Sequence, residues 1–289
     1  MRDYAVRLLG SPEVRRGGAA LVWHARKALA LLAYLTVEAR PCAREALAEL
    51  LWPNSEPGVA RSALRNTVSQ LRTLIGDRLT VTPGTVAVTW LGTDDLDLRD
   101  LTAGDPDAWR GELLEGLQVG SGAFEDWLTG QRGVVRAQAE RAFDQRSAAL
   151  LDTAPLDAVN MATRWLALDR LNEAAWRRVI QAQVAAGHLG AARATFETCQ
   201  GVVQRELGLS PAPETLALRA RLFPEPARVP VPVDLPAFLV GGPLIGRQSE
   251  FARLVEAYRL AASGVPQAAV IVGEPGTVSY THLTLPTSD

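Results

Sequence analysis

Apolar positions follow a period of two at the start of the chain and a period near 3.6 afterwards, and the switches between them mark its elements. Tyr4-Ala5-Val6-Arg7-Leu8 alternates, Glu13-Val14-Arg15 resumes after the Ser11-Pro12 turn, and Ala20-Leu21-Val22-Trp23 follows Gly17-Gly18, which predicts a small N-terminal sheet of short strands. Ala28, Leu31, Leu32 and Leu35 then fall at helical spacing, and Leu47, Leu50 and Leu51 form a second short amphipathic helix after Pro41. The segment from Trp52 to Gly58 breaks that helix. From Ala60 to Ile75, Leu64, Val68, Leu71 and Ile75 stack on one face of a third helix. Two β-branched runs, Leu79-Thr80-Val81-Thr82 and Thr85-Val86-Ala87-Val88-Thr89, flank Pro83-Gly84, a pair suited to a tight reversal. Strands, three helices and a closing hairpin are the order of a winged helix-turn-helix, although the hairpin alone fits other small α+β domains.

The third helix carries the candidate chemistry. At about 100° per residue, Arg61, Arg65 and Arg72 lie along one flank, while Ser62, Asn66, Ser69, Gln70 and Thr73 face away from the leucines. No carboxylate lies within this helix. A solvated helix usually mixes Glu with Lys, whereas a helix entering a major groove needs Arg for phosphate or guanine and Asn, Gln or Ser for base edges. The face reads as a DNA-recognition surface, with an ordinary surface helix as the alternative. Arg78, at the base of the hairpin, adds a candidate phosphate contact.

Beyond the hairpin the DDLDLRDL run, with Asp94, Asp95 and Asp97, reads as an acidic cluster that covers a solvated face or repels DNA from the body. Two helix pairs follow, Glu140 to Leu150 with Leu156 to Leu168, and Glu173 to Ala186 with Leu189 to Val203. A shift of 33 residues lays Ala142 on Ala175, Phe143 on Trp176 and Ala158 on Ala191. Helix pairs of about 34 residues are the tetratricopeptide pattern, whose concave stack more often binds proteins than does chemistry; an unspecialised helical bundle is the alternative. Residues 224–243 are a proline-rich linker. Phe251, Leu254, Val255 and Tyr258 then mark another amphipathic helix, and Ala268-Ala269-Val270-Ile271-Val272 a buried strand running into Gly273-Glu274-Pro275-Gly276. A phosphate-binding loop beginning at Gly273 needs Gly, Lys and Ser or Thr where the chain has Val278, Ser279 and Tyr280. No nucleotide site, and no cofactor, is expected. The terminal TVSYTHLTLPTSD has no helical period and resembles adapter-derived sequence, so residues 277–289 are expected to be non-native and the parent protein to continue into a complete NTPase.

Composition sharpens this picture at two points. The formal net charge of −2 conceals a split: residues 1–90 hold 12 basic and 7 acidic residues, a balance of +5, and residues 91–289 hold 18 and 25, a balance of −7. A basic head on an acidic body is the charge footprint of a DNA-binding module joined to a partner-binding one. Lys27 is the single lysine among the 30 basic residues. Cys42 and Cys199 stand far apart, and His24, His188 and His282 are isolated, so neither a disulfide framework nor a metal cluster is indicated. No nucleophile elbow or calcium-loop spacing is present, and the chain is not read as an enzyme. No apolar run reaches about 18 residues, and MRDYAVRLLG lacks a signal-peptide pattern, which gives an expectation of a cytoplasmic, nucleoid-associated protein without a membrane partner.

These segments, in this order, resemble the antibiotic-regulatory-protein (SARP) type of transcriptional regulator, which joins an OmpR/PhoB-type winged helix to a bacterial transcriptional activator domain. RLLGSPEVRRGG, HARKALALLAYL, REALAELLWP and ARSALRNTVSQLRTLIGD carry the N-terminal part of the resemblance; WRGELLEGL, FEDWL and QRELGLSPAPETLALRARL carry the rest. LIGRQSEFARL and AVIVGEPG resemble the start of the STAND/AAA-type NTPase domain that larger members append. The resemblance implies a mainly helical fold with a small β component, divided as 1–92 winged helix, 93–223 TPR-like activator domain, 224–243 linker, 244–276 NTPase start and 277–289 tail. It implies an activator of a biosynthetic gene cluster in secondary metabolism and phosphorelay-type signalling, which binds repeats in double-stranded promoter DNA and forms a homodimer there. It also implies recruitment of RNA polymerase through the turn before the recognition helix, here Trp52, Pro53, Asn54, Ser55 and Glu56. The chain departs from the pattern at Cys42, where the family often has Ser or Thr at a helix start, implying a weaker cap. A protein-interaction scaffold, with the winged helix as a packing or dimerisation module, is the alternative function.

Overall fold

The computed structural model describes residues 4–23, 25–224 and 248–262. Two units are distinguished, 1–223 and 224–289. The linker expected at 224–243 from residue 225 onward, the first residues 244–247 of the expected NTPase start, the strand and Gly-rich loop at 268–276 and the tail at 277–289 lie outside the described residues.

The first unit opens with a four-stranded sheet of order β3-β2-β1-β7, formed by β1 (Tyr4–Arg7), β2 (Glu13–Arg16), β3 (Ala19–Ala20) and β7 (Asp95–Leu96). β1 runs antiparallel to β2 with Val6 opposite Val14, and parallel to β7 with Val6 opposite Leu96. Gly17 and Gly18 turn β2 into β3 with φ of 55° and 88°, a two-residue loop whose paired positive φ values glycine adopts without strain. The third strand expected at 20–23 is therefore shorter and earlier. Leu21 still donates to the Val14 carbonyl at 2.8 Å, after which the chain leaves for the first helix and Val22 is exposed.

Three helices follow, α1 (Arg26–Glu38), α2 (Arg44–Leu51) and α3 (Pro57–Ile75), and then the hairpin β5 (Leu79–Val81) and β6 (Thr85–Val88), with Leu79 opposite Val88. A strand that the periodicity does not reveal, β4 (Cys42–Ala43), adds to β6 and makes the hairpin a three-stranded sheet of order β4-β6-β5. Cys42 is consequently a buried strand residue opposite Val86, not a helix cap; Ala43 occupies the N-cap position of α2.

The acidic run after the hairpin departs most from expectation. Asp94 and Asp97 are 3% and 2% exposed. Asp97 accepts the amides of Leu8 at 2.7 Å and Leu9 at 2.8 Å through one oxygen and that of Leu98 through the other. Asp95 forms a two-pronged pair with Arg7 at 2.7 and 2.5 Å. These carboxylates tie β7 and the helix after it to β1; they do not form a solvated face. Backbone pairing continues the connection, since Leu114 donates to the Leu8 carbonyl, Gly10 to that of Glu112 and Glu115 to that of Gly10. One hydrophobic core runs from Tyr4 through α1–α3 to Phe124, Phe143 and Ala175. Gly92 and Thr93 are exposed, and buried residues on both sides of them belong to this one core.

The remaining helices are α4 (Asp97–Thr102), α5 (Gly122–Leu150), α6 (Pro155–Leu168), α7 (Glu173–Ala185), α8 (Leu189–Leu207) and α9 (Pro213–Leu222). From α5 to α8 each packs on the next, and α9 packs on α7. Ala142 and Ala175, and Phe143 and Trp176, are all buried as the 33-residue shift requires. Ala191 is exposed, and its place is taken by Ala192. Ala158 and Ala192, Ala162 and Phe196, and Trp165 and Cys199 are the equivalent buried pairs, one residue beyond the predicted offset because α6 begins at Pro155 and α8 at Leu189. The architecture is thus mainly helical with little strand, a winged helix followed by a TPR-like helical layer. In the second unit, α10 (Gln248–Ala262) is one amphipathic helix with Phe251 and Val255 half-buried. Among the described residues no helix is long and apolar enough to cross a membrane.

Candidate nucleic-acid interface

α3 begins with Pro57 at its first turn, where the missing N–H costs nothing, and ends where Gly76 takes a positive φ of 57°. Its inner face, Ala60, Leu64, Thr67, Val68, Leu71 and Ile75, is buried against α1, α2 and β5. Each such leucine or isoleucine contributes roughly 1.5–3 kcal/mol by leaving water, which fixes the rotation of the helix and so determines which residues face out. Thr67 is the one polar residue on this stripe, and its hydroxyl is satisfied by the Ala63 carbonyl at 2.9 Å.

Arg61, Ser62, Arg65, Asn66, Ser69, Gln70, Arg72 and Thr73 are all exposed. Arg61 Nε returns to the Pro57 carbonyl at 3.1 Å and the Thr73 hydroxyl to that of Ser69 at 3.2 Å. The side chains of Arg65, Arg72, Asn66 and Gln70 have no partner among the described residues. The surface is cationic along one edge, hydrogen-bonding across its width and without carboxylates in the helix.

Arg78 does not belong to it. Its side chain is 6% exposed, with Nε 2.8 Å and Nη2 3.3 Å from the two oxygens of Asp94, and its guanidinium lies 5.4 Å from the centre of the Tyr4 ring. Burial pushes the Asp94 carboxyl up, but the Arg78 guanidinium and the Leu91 amide outweigh it and hold the group below the ordinary carboxylate range. Arg78 is a buried brace between the hairpin base and the acidic run, so the expected phosphate contact is corrected.

The hairpin turn is held by Thr82 and Thr85, whose hydroxyls lie 2.9 Å apart while the Thr85 amide donates to Thr82 Oγ1. The turn has no cation of its own. Arg44, which sequence reasoning missed, stands beside it: its amide donates to the Gly84 carbonyl at 3.0 Å, and its side chain has no ion pair among the described residues. β4 positions it, and a two-residue strand carries no period from which it could be read.

Between α2 and α3, Trp52 is half-buried, Ser55 donates back to its carbonyl at 3.2 Å, and Pro53, Asn54 and Glu56 are exposed. Lys27 Nζ donates to the Leu51 carbonyl at 2.6 Å and sits 4.8 Å from the Trp52 ring centre. Burial lowers its pKa.

No curated protein matches the chain. Among solved structures, that of Mycobacterium tuberculosis EmbR in complex with a low-affinity phosphopeptide is similar to it, with a TM-score of 0.61 and 19% identity over 90% of this chain and 70% of that one. At this identity the likeness is one of fold. Residues 100–223, which run from within α4 to the end of α9, match the family described as the bacterial transcriptional activator domain.

Proposed function

We propose that the chain is a DNA-binding transcriptional activator of the SARP type that reads promoter repeats with α3 and recruits RNA polymerase. The observation that carries this reading is the exposed, carboxylate-free face of α3, set beside a hairpin and attached to a helical layer that matches a transcriptional activator family. Arg61, Arg65 and Arg72 bind phosphate or guanine; Ser62, Asn66, Ser69, Gln70 and Thr73 face base edges. Arg44 replaces Arg78 as the cation near the hairpin turn. The loop Trp52–Glu56, with Pro53, Asn54 and Glu56 exposed, meets polymerase, and the protein works in the cytoplasm on the nucleoid as a homodimer, controlling a biosynthetic gene cluster. It catalyses no reaction.

A mobility-shift titration of the full chain against a random double-stranded DNA pool tests this. The expected outcome is a selected, salt-dependent shift, with Arg65→Ala weakening all sequences alike and reducing the salt slope by about one ion. A folded chain that shifts no DNA at low salt favours the scaffold function, and an unchanged slope removes Arg65 from the phosphate contacts.

A further inference from the structure

A cleft of about 810 Å³ opens between the end of the wing sheet, the C-terminal end of α1, α4 and the middle of α5. Its volume lies within the range of small-molecule sites, roughly 300–1,000 Å³. Val37, Val88, Trp90, Leu98, Val134 and Val135 give it apolar walls. Val134 is 52% exposed, the one large aliphatic side chain in the middle of α5 that stands open to solvent.

The polar groups of the lining are specific. Trp90 Nε1 is already spent on the Thr36 hydroxyl at 3.0 Å. The side-chain amides of Gln131 and Gln138 have no partner among the described residues. Arg99 uses only Nη1, which donates to the Leu91 carbonyl at 3.1 Å and the Asp94 carbonyl at 3.0 Å, so Nε and Nη2 remain available. No Asp or Glu is among the lining residues. A largely apolar surface with one fixed cation, two side-chain amides, the neutral hydroxyls of Thr36, Thr89 and Thr102 and no carboxylate is complementary to an apolar body carrying a single anionic end.

We propose that this cleft binds an amphipathic monoanion, such as a medium-chain or aromatic carboxylate, with its apolar body against Val88, Trp90 and Val134 and its anionic end on Arg99. Such a ligand bridges the wing sheet and α5. The binding site stands whether or not the chain binds DNA.

Titrating the full chain with the fluorescent anion anilinonaphthalene sulfonate tests the proposal. The expected result is one bound probe per chain, displaced by decanoate and not by decylammonium at equal concentration. Val134→Trp, at the exposed mouth, and Ala103→Trp, at the exposed C-terminal end of α4, each fill the cleft and weaken probe binding by roughly tenfold or more. Arg99→Gln keeps binding of neutral decanol and loses the preference for decanoate. Far-UV circular dichroism confirms that each variant folds. Binding that decanoate cannot displace, or that survives both tryptophan variants with the helical signal intact, overturns the proposal; so does equal displacement by decanoate and decylammonium.

Discussion

Arg72 and Arg78 are near neighbours in sequence, yet one points into solvent and the other is sealed between Asp94 and Tyr4. Their alanine variants should separate cleanly. Arg78→Ala leaves Asp94 buried without its counter-charge, a loss of about 3–5 kcal/mol, whereas Arg72→Ala changes urea stability by no more than about 0.5 kcal/mol while weakening DNA binding. Equal stabilities for the two variants would remove the brace. Asp94 and Asp97 should also respond to pH with opposite signs. For Asp94 the folded pKa lies below the ordinary value of about 3.9, so its contribution is full above that value and disappears as pH falls through the folded one. Burial raises the pKa of Asp97 above the ordinary range despite the amides of Leu9 and Leu8 and the Arg110 guanidinium, so ionising it as pH rises costs stability. On acidification from neutral pH, the stability gap between the parent chain and Asp94→Asn should narrow, and that for Asp97→Asn should widen. Denaturant titrations across the acidic range measure both.

At the scale of elements, the connection between the N-terminal sheet and the helices rests on a close backbone crossing. A Cβ at Gly111 would sit 2.9 Å from Gly10 Cα and 2.5 Å from Glu115 Oε2; the side chain can swing away and the backbone cannot. Gly111→Ala should therefore cost about 1–3 kcal/mol, read as a fall in the urea midpoint at unchanged slope. A neutral effect would mean that the crossing can yield. The long amphipathic elements were legible from sequence because their signal is local: the buried stripe of α3 and the alternation of the hairpin repeat within a few residues. β4 and β7 have two residues each and exist only through partners far along the chain. Asp94, Asp95 and Asp97 looked solvated for the same reason, since a carboxylate is buried or exposed according to whether Arg78, Arg7 or the Leu8 and Leu9 amides reach it. The repeat was off by one in α8 because the offset came from the first helices of the two pairs, and turn length sets the second. The polar face of α3 was read from helix geometry alone, whereas Arg44 depends on β-pairing and was not.

At the scale of the whole molecule, the winged helix and the activator-type layer share one core, and a fragment of residues 1–92 would lose β7, Asp94, Asp95 and Asp97 together. Such a fragment should show the narrow amide dispersion of an unfolded chain by NMR, while the full chain is well dispersed; a dispersed spectrum from the fragment would show that the N-terminal part stands alone. Both cysteines are buried, and burial pushes the Cys199 thiol to about 11. Near pH 8 the thiolate fraction at Cys199 is then on the order of 0.001. An aromatic disulfide reagent should leave both thiols unmodified in the native state and titrate two per chain in denaturant. Amine chemistry behaves differently. Because Lys27 is the single lysine, an acylating reagent has one side chain to find, and its attack would cancel the charge over Trp52 and break the bond to the Leu51 carbonyl together. A dye coupled there would label the chain at one internal position, at the mouth of the loop joining α2 to α3, and would serve as a built-in reporter of whatever docks against that loop.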